Sequence, residues 1–197
     1  MNRTIAAIGL CFFLAGCAVG NTFDYRNAVP ELAATTEKAV VVVTIDQRPY
    51  VLAGDNTPQW VGMFRGGFGN PFGAHTASGA PLAEDVAVAL VAGLRAKGVN
   101  AVVASSQTAA SPQQRKLSVT IKDWRSDTMM NTLIRYDLRA EVMDAAGTVL
   151  ASNAVKNERT FSTFNNLPST TAAEVLVHFK AIMADLLNAP ELQKALL

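Results

Sequence analysis

The sequence predicts an α+β fold, a two-layer sandwich in which two helices pack on one face of a mostly antiparallel sheet. Three observations support this prediction. Residues 134–142 alternate apolar and charged side chains, as expected for a strand with one buried face. The β-branched run at 40–45 is typical of a strand buried on both faces. Two segments, 81–97 and 171–187, repeat apolar residues at the spacing of an amphipathic helix.

The first sixteen residues have the pattern of an export signal. Arg3 supplies a positive charge, and the apolar stretch at 5–14 is too short to cross a bilayer as a permanent helix. Residues 14–17, Leu-Ala-Gly-Cys, resemble the lipobox of bacterial lipoproteins, in which two small residues precede a cysteine that is acylated before cleavage. This resemblance implies that residues 1–16 are a cleaved signal peptide. It also implies that Cys17 carries a diacylglycerol thioether and usually an amide-linked acyl chain, palmitate.

The residue after the cysteine indicates which membrane holds the protein. It is Ala18 rather than Asp, which by the sorting rule familiar from enteric bacteria favours the outer membrane. We therefore expect a lipid anchor at the periplasmic face of the cell outer membrane. One acyl chain anchors only marginally, at about 0.8 kcal/mol per buried methylene, so several chains are needed for stable attachment.

Composition limits what the remaining chain can bind. Cleavage leaves 181 of 197 residues, enough for one domain, with 16 basic and 16 acidic side chains because only Arg3 is lost. A neutral chain offers no broad electrostatic attraction for nucleic acid. Cys11 leaves with the signal and Cys17 is acylated, so no thiol pair remains for a disulfide. No later segment approaches the roughly 20 apolar residues of a spanning helix.

The amino-terminal half is predicted as follows. Residues 17–37, which include the lipidated cysteine, show no periodicity and are expected to be a flexible tether, followed by a single globular α+β domain at 38–197. The strand at 40–45 ends before Pro49, which cannot donate to a ladder. Residues 54–79, rich in Gly, Pro, Asn and Thr, are expected to form a long irregular loop.

Helix signals and strand alternation define the second half. Pro81 fits the first turn of a helix and Gly98 its terminating position. Thr171 and Glu174 form a capping-box pattern for a last helix that ends near Pro190. Between the helices, strands are predicted at 100–104, 117–124, 134–142 and, after a turn at 144–147, 148–161 in antiparallel pairing.

The order of these features resembles the YajG-like lipoproteins. The matching motifs are the Cys17 lipobox, Asp46-x-Arg48 at a strand end, the helix end at 94–98, and the Tyr136 strand before 144–147. The resemblance covers most of the chain after the signal peptide and implies no catalytic residues. The general shape of the family is similar to that of small helix-on-sheet lipoproteins that assist envelope assembly and transport machines.

The sequence does not predict an enzyme, a metal site or a cofactor. His75 and His178 are about a hundred positions apart, and no cysteine remains to join them as a ligand. His178 is expected to be a solvated residue of the last helix. No Gly-x-Ser-x-Gly occurs, and residues 62–73 lack the pattern of a phosphate loop. Asp46 and Arg48 point the same way along an extended segment, which favours a structural ion pair or polar cap over a ligand site.

Four aromatic residues are the candidate partner-binding site. They are spaced four apart, in a segment whose glycines and proline disfavour a helix: Trp60, Phe64, Phe68 and Phe72. Two interpretations stay open. The rings close the core, or some stay exposed as an apolar contact for a partner protein or the lipid interface.

We therefore expect a non-enzymatic accessory or structural partner of an envelope complex, held to the membrane by its N-terminal lipid. The alternative is a periplasmic carrier or sensor that binds a small apolar or glycan ligand under the 54–79 loop. An enclosed pocket lined by the four aromatics would favour the carrier. A compact core with those rings outside would favour the interaction protein.

Overall fold

The computed structural model describes residues 22–33, 36–66, 68–105, 107, 110–163 and 167–197. The predicted signal peptide and Cys17 lie outside this part. Within it the chain forms an eight-stranded sheet and four α-helices. The strands are β1 (Thr22–Phe23), β2 (Ala39–Asp46), β3 (Trp60–Arg65), β4 (Pro71–Thr76), β5 (Ala101–Val103), β6 (Gln114–Thr128), β7 (Asn131–Met143) and β8 (Val149–Ser162). The helices are α1 (Pro49–Leu52), α2 (Leu82–Ala96), α3 (Pro168–Leu187) and α4 (Pro190–Leu196).

The long strand β6 organises the sheet. On one edge it pairs in parallel with β2, where Val42 lies beside Leu117, and further along with β3, where Phe64 lies beside Thr128. Its other edge pairs antiparallel with β7, which pairs antiparallel with β8. β5 adds in parallel to β2, while β4 and β1 extend outward from β3.

The sheet is therefore mixed. The predicted antiparallel pairing of 148–161 with 134–142 is confirmed by β7 and β8, and β6 with β7 and β3 with β4 are also antiparallel. The pairs of β2 with β5 and β6 are parallel, because α2 carries the chain back between β2 and β5 as a crossover connection. The predicted burial of β2 on both faces is confirmed for Val40–Val43, each at most 3% exposed.

The two long helices bury their apolar stripes in one core on the same side of the sheet. Leu90 of α2 and Phe179 of α3 are fully buried there, together with Leu138 of β7. We call this side the helix face. The opposite side, the polar face, carries ion pairs between neighbouring strands, such as Arg135 with Glu158 at 2.6 Å. The alternation at 134–142 thus predicted the two faces correctly.

The ends of the helices test the predicted caps. Gly98 has φ +80° and donates to the Arg95 carbonyl oxygen, while Val99 donates to Leu94, which together form a Schellman motif. The predicted end of α2 is confirmed. The capping box at Thr171 is wrong, because α3 begins at Pro168 and Thr171 is buried in its first turn.

The predicted tether is too long. Residues 22–33 are part of the fold, with Phe23, Tyr25 and Leu32 at most 1% exposed. The Tyr25 ring packs 5.0 Å from the Phe179 ring, measured between centroids. These side chains complete the core between α2, α3 and the sheet, so a flexible segment reaching to residue 37 is incorrect for this stretch.

The predicted irregular loop at 54–79 is also wrong, because it contains β3 and β4 as a hairpin. Gly62 explains how a glycine-rich segment joins the sheet. It has φ +143°, and a Cβ atom there would lie 2.1 Å from the Ser126 carbonyl oxygen. Only glycine permits this close approach, which brings β3 against β6.

Candidate functional site at the apolar end of the sheet

The β3–β4 hairpin carries three phenylalanines at one end of the sheet. Phe64 and Phe72 lie directly opposite each other across the two strands. Beyond them the tip is closed by a hydrogen bond from the Gly66 amide to the Asn70 carbonyl oxygen at 3.0 Å. Phe68 stands in this tip with 99% of its surface exposed, and Phe72 is 41% exposed. The hydrogen-bonded hairpin therefore presents aromatic rings to solvent.

The turn between β6 and β7 adds two methionines at the same end. Because Phe64 lies beside Thr128 in parallel register, the residues after Thr128 emerge next to the hairpin tip. These are Met129 and Met130, which are 51% and 60% exposed. The sequence reasoning missed them. The available signal was the uncharged stretch 128–134, which lies between the charged residues of 122–127 and the alternating charges of 135–141.

The segment that enters α3 lies at this end too. The Thr163 amide donates to the Met130 carbonyl oxygen at 3.0 Å. Four residues later Leu167 is 68% exposed. We call the exposed set formed by these three segments the apolar end: Phe68, Phe72, Met129, Met130 and Leu167.

The apolar end is almost free of charge. Residues 66–74, 128–134 and 160–173 contain no Asp, Glu, Lys or Arg. The charges closest to it along the strands are Arg65 and Asp127, which form a two-pronged ion pair with N–O distances of 2.9 and 2.8 Å. Hydrogen bonding to Asp127 raises the pKa of Arg65. The pair neutralises itself and leaves the end apolar.

Trp60 does not join the other three aromatics, although the spacing of four suggested one cluster. A register shift between Trp60 and Gly62 turns Trp60 to the polar face, opposite His75 rather than in line with Phe64. Its ring meets the Tyr50 ring edge-on at 5.2 Å. There it lines a cleft of about 220 Å³, with Met63 among the other lining residues.

Asp46 and Arg48 form the predicted structural ion pair. Arg48 is fully buried, and its Nε and Nη2 donate to the Asp46 carboxylate at 2.9 and 2.7 Å. Its remaining donors reach the carbonyl oxygens of Trp60 at 2.6 Å and Pro58 at 2.9 Å. The guanidinium thus ties the end of β2 to the start of β3. All three of its nitrogens are engaged, so it is not available to a ligand.

Each histidine ring packs against one neighbour: His75 covers Gly73, and His178 stacks on Phe161. His75 lies in β4, where its ring covers Gly73 so closely that a Cβ there would be 2.8 Å from the imidazole Cε1. His178 is half-buried rather than solvated, with its ring stacked on Phe161 at 4.6 Å. Burial and the neighbouring Arg159 lower the pKa of His178. In the described ranges, no three His, Cys, Asp or Glu side chains come together as a metal site.

Comparison with known proteins shows the fold alone. No family model and no curated protein matches this sequence. Protein XCC0632 of Xanthomonas campestris, of family DUF330, is 15% identical, with a TM-score of 0.56 over 84% of this chain and 91% of that chain. This chain therefore shares its α+β fold with that protein.

Two further solved structures align at lower TM-scores. The lipoprotein GNA1162 from Neisseria meningitidis is 14% identical over 75% of this chain and 99% of that chain, with a TM-score of 0.27. The PelC dodecamer from Paraburkholderia phytofirmans is 16% identical over 83% of this chain and 93% of that chain, with a TM-score of 0.36. None of the helices in the described residues is long and apolar enough to cross a membrane.

Proposed function

We propose that this chain is a YajG-like envelope lipoprotein that acts as a non-enzymatic accessory or structural partner of an envelope complex. Acylated Cys17 anchors it at the periplasmic face of the outer membrane. The support for the anchor is the Leu-Ala-Gly-Cys sequence at 14–17 behind a short apolar stretch. The support for the accessory role is the surface of the folded part.

The apolar end is the single observation that carries the accessory role. Phe68 is almost completely exposed on a hydrogen-bonded hairpin, beside Met129 and Met130 on a tight turn. Exposed apolar side chains that cluster on a regular backbone gain free energy only when another surface covers them. We assign the contact to Phe64, Phe68 and Phe72 of the hairpin together with the two methionines. Trp60 would meet a partner only on the polar face.

The carrier alternative has less support. It places a ligand under residues 54–79, yet this stretch contributes β3 and β4 to the sheet itself. The cleft beside Trp60 is about 220 Å³, below the roughly 300–1,000 Å³ of typical ligand pockets. Trp60 is the one member of the four aromatics that lines it. The rings therefore favour an interaction surface.

Site-specific photocrosslinking in native membranes tests the proposal. A photoreactive residue replaces Phe72, which is 41% exposed, in the full-length chain, and Val177, 58% exposed on α3, provides the matched control. Crosslinks to protein should concentrate at position 72 and should be lost in Cys17→Ser, which cannot be acylated. Equal crosslinking at both positions would refute the contact role. Lipid labelling of Cys17→Ser would refute the anchor.

A further inference from the structure

We propose that the apolar end is seated in the phospholipid bilayer that holds the Cys17 acyl chains. Phe68, Met129 and Met130 then enter the membrane surface and hold the sheet upright on it. This inference rests on the proposed lipid anchor and names what the apolar end contacts. Within the contact proposed above, it assigns Phe68, Met129 and Met130 to the bilayer and leaves Phe64 and Phe72, further back on the hairpin, to the envelope partner.

The direction of β1 shows where the anchor lies. β1 pairs in parallel with β4, with Thr22 beside His75 and Phe23 beside Thr76. β4 begins at the hairpin tip with Pro71 and runs away from the apolar end. Because β1 runs the same way, the chain enters it from the side of the apolar end. Thr22, the first residue of β1, is therefore the end of this strand that faces the apolar end.

The connection to the anchor is short. Four residues separate Cys17 from Thr22, so their Cα atoms lie at most roughly 18 Å apart, at about 3.6 Å per residue. From His75 back to Pro71, β4 covers about 13 Å, at about 3.3 Å per residue. Thr22 lies beside His75, so the hairpin tip lies about 13 Å from the level of Thr22 along the strands. This is most of the roughly 18 Å that the connection between Cys17 and Thr22 can span. A cysteine held at the bilayer brings this end to the membrane.

The chemistry of the tip residues fits lipid. Phe68, Met129 and Met130 stand on a hairpin tip and a tight turn at the outer end of β3 and β6. The three segments that form the apolar end carry no charged residue, and the nearest charges along the strands, Arg65 and Asp127, are paired with each other. Side chains without charge enter the bilayer boundary at little desolvation cost.

The opposite end of the sheet has a different character. There Asp144 forms the β7–β8 turn, and Lys38 and Lys97 line the same surface depression near the start of β6. Polarity therefore changes along the strands, from the uncharged end to a charged one. If the apolar end contacts the membrane, the charged end lies on the side away from it.

Thiol labelling of the intact lipoprotein tests whether the apolar end enters the bilayer. Once Cys17 is acylated, a substituted cysteine is the sole free thiol in the mature chain. Phe68→Cys places it in the apolar end, and Leu150→Cys at the far end of the sheet is the control, at a position 44% exposed. Each variant is labelled with an environment-sensitive fluorophore and reconstituted into phosphatidylethanolamine–phosphatidylglycerol vesicles.

The expected result is a blue-shifted label at position 68 that nitroxide lipids quench several-fold more than aqueous iodide does. At position 150 the order of the two quenchers should be reversed. Iodide quenching at position 68 equal to that at position 150 would refute the contact between the apolar end and the bilayer. Position 68 exposed in pure vesicles but shielded in native membranes would also overturn it, in favour of a protein partner.

The mass of the amino-terminal peptide separates this failure from failure of the anchor. Acylated Cys17 with an exposed label at position 68 overturns the bilayer seat alone. An unacylated Cys17 overturns the proposed anchor and the seat with it. Phe68 is 99% exposed, so its replacement leaves the core intact and the readout reports the surface.

Discussion

The indole nitrogen of Trp124 donates a hydrogen bond to the Tyr25 hydroxyl at 3.0 Å inside the core. The two residues join the amino-terminal segment to the central strand β6 across 99 positions of sequence. Both side chains are at most 1% exposed, and burial raises the pKa of Tyr25. This contact explains why residues that lack periodicity belong to the folded part.

Tyr25→Phe should destabilise the protein by about 1–3 kcal/mol, because it leaves the buried Trp124 N–H without an acceptor. Urea unfolding followed by tryptophan fluorescence measures the change. A Tyr25→Phe variant as stable as the wild type would mean that the amino-terminal segment does not pack in solution.

Gly93→Ala shows whether residues 22–33 pack against α2 or form a free tether, because the two cases change the melting temperature in opposite directions. A Cβ atom on Gly93 would lie 2.9 Å from the Pro30 carbonyl oxygen, where the segment crosses α2. If residues 22–33 were free, alanine would stabilise the helix by about 0.5–1 kcal/mol. Because they are packed, we expect a lower melting temperature. A higher melting temperature would contradict the crossing.

Arg48→Ala should cost about 3–5 kcal/mol, because it removes one partner of a buried ion pair and the guanidinium donors to the Trp60 and Pro58 carbonyl oxygens. Arg135→Ala is the matched control, since its pair with Glu158 is solvent-exposed and such pairs contribute about 0–1 kcal/mol. Chemical denaturation of both variants measures the difference. Similar losses at the two positions would show that Arg48 is not the structural tie between β2 and β3.

Stability should fall as the pH drops through the ordinary His178 value of 6.5. Burial, with Arg159 nearby, lowers the pKa of His178 in the folded state, so the unfolded chain takes up the proton first. The stability that neutral His178 contributes is therefore present above pH 6.5 and is lost as the pH falls below that value. His178→Gln should flatten the decrease in urea midpoint between neutral and mildly acidic pH. An unchanged pH profile in this variant would assign the decrease to other groups.

The candidate site was only partly predictable. Aromatic composition pointed to Phe64, Phe68 and Phe72, which the structure places on one hairpin. Trp60 departs from them because the register shift before Gly62 arises from pairing with β4 and β6. For Met129 and Met130 the local signal is only the uncharged stretch 128–134, which does not distinguish an exposed turn from a buried one. Their position depends on β3 and β6 ending at the same side of the sheet.

The sequence by itself determined the elements whose periodicity is local. The alternation at 134–142, the stripe from Leu82 to Leu94 and the αL glycine at Gly98 each specify an element from neighbouring residues. Tertiary structure alone decided the parallel pairing of β3 with β6 and the burial of residues 22–33. Those depend on surfaces that residues far apart in sequence create together, such as the approach of Gly62 to Ser126 and the core around Trp124. A short segment gains no stability until those surfaces exist, so its own residues do not reveal its structure.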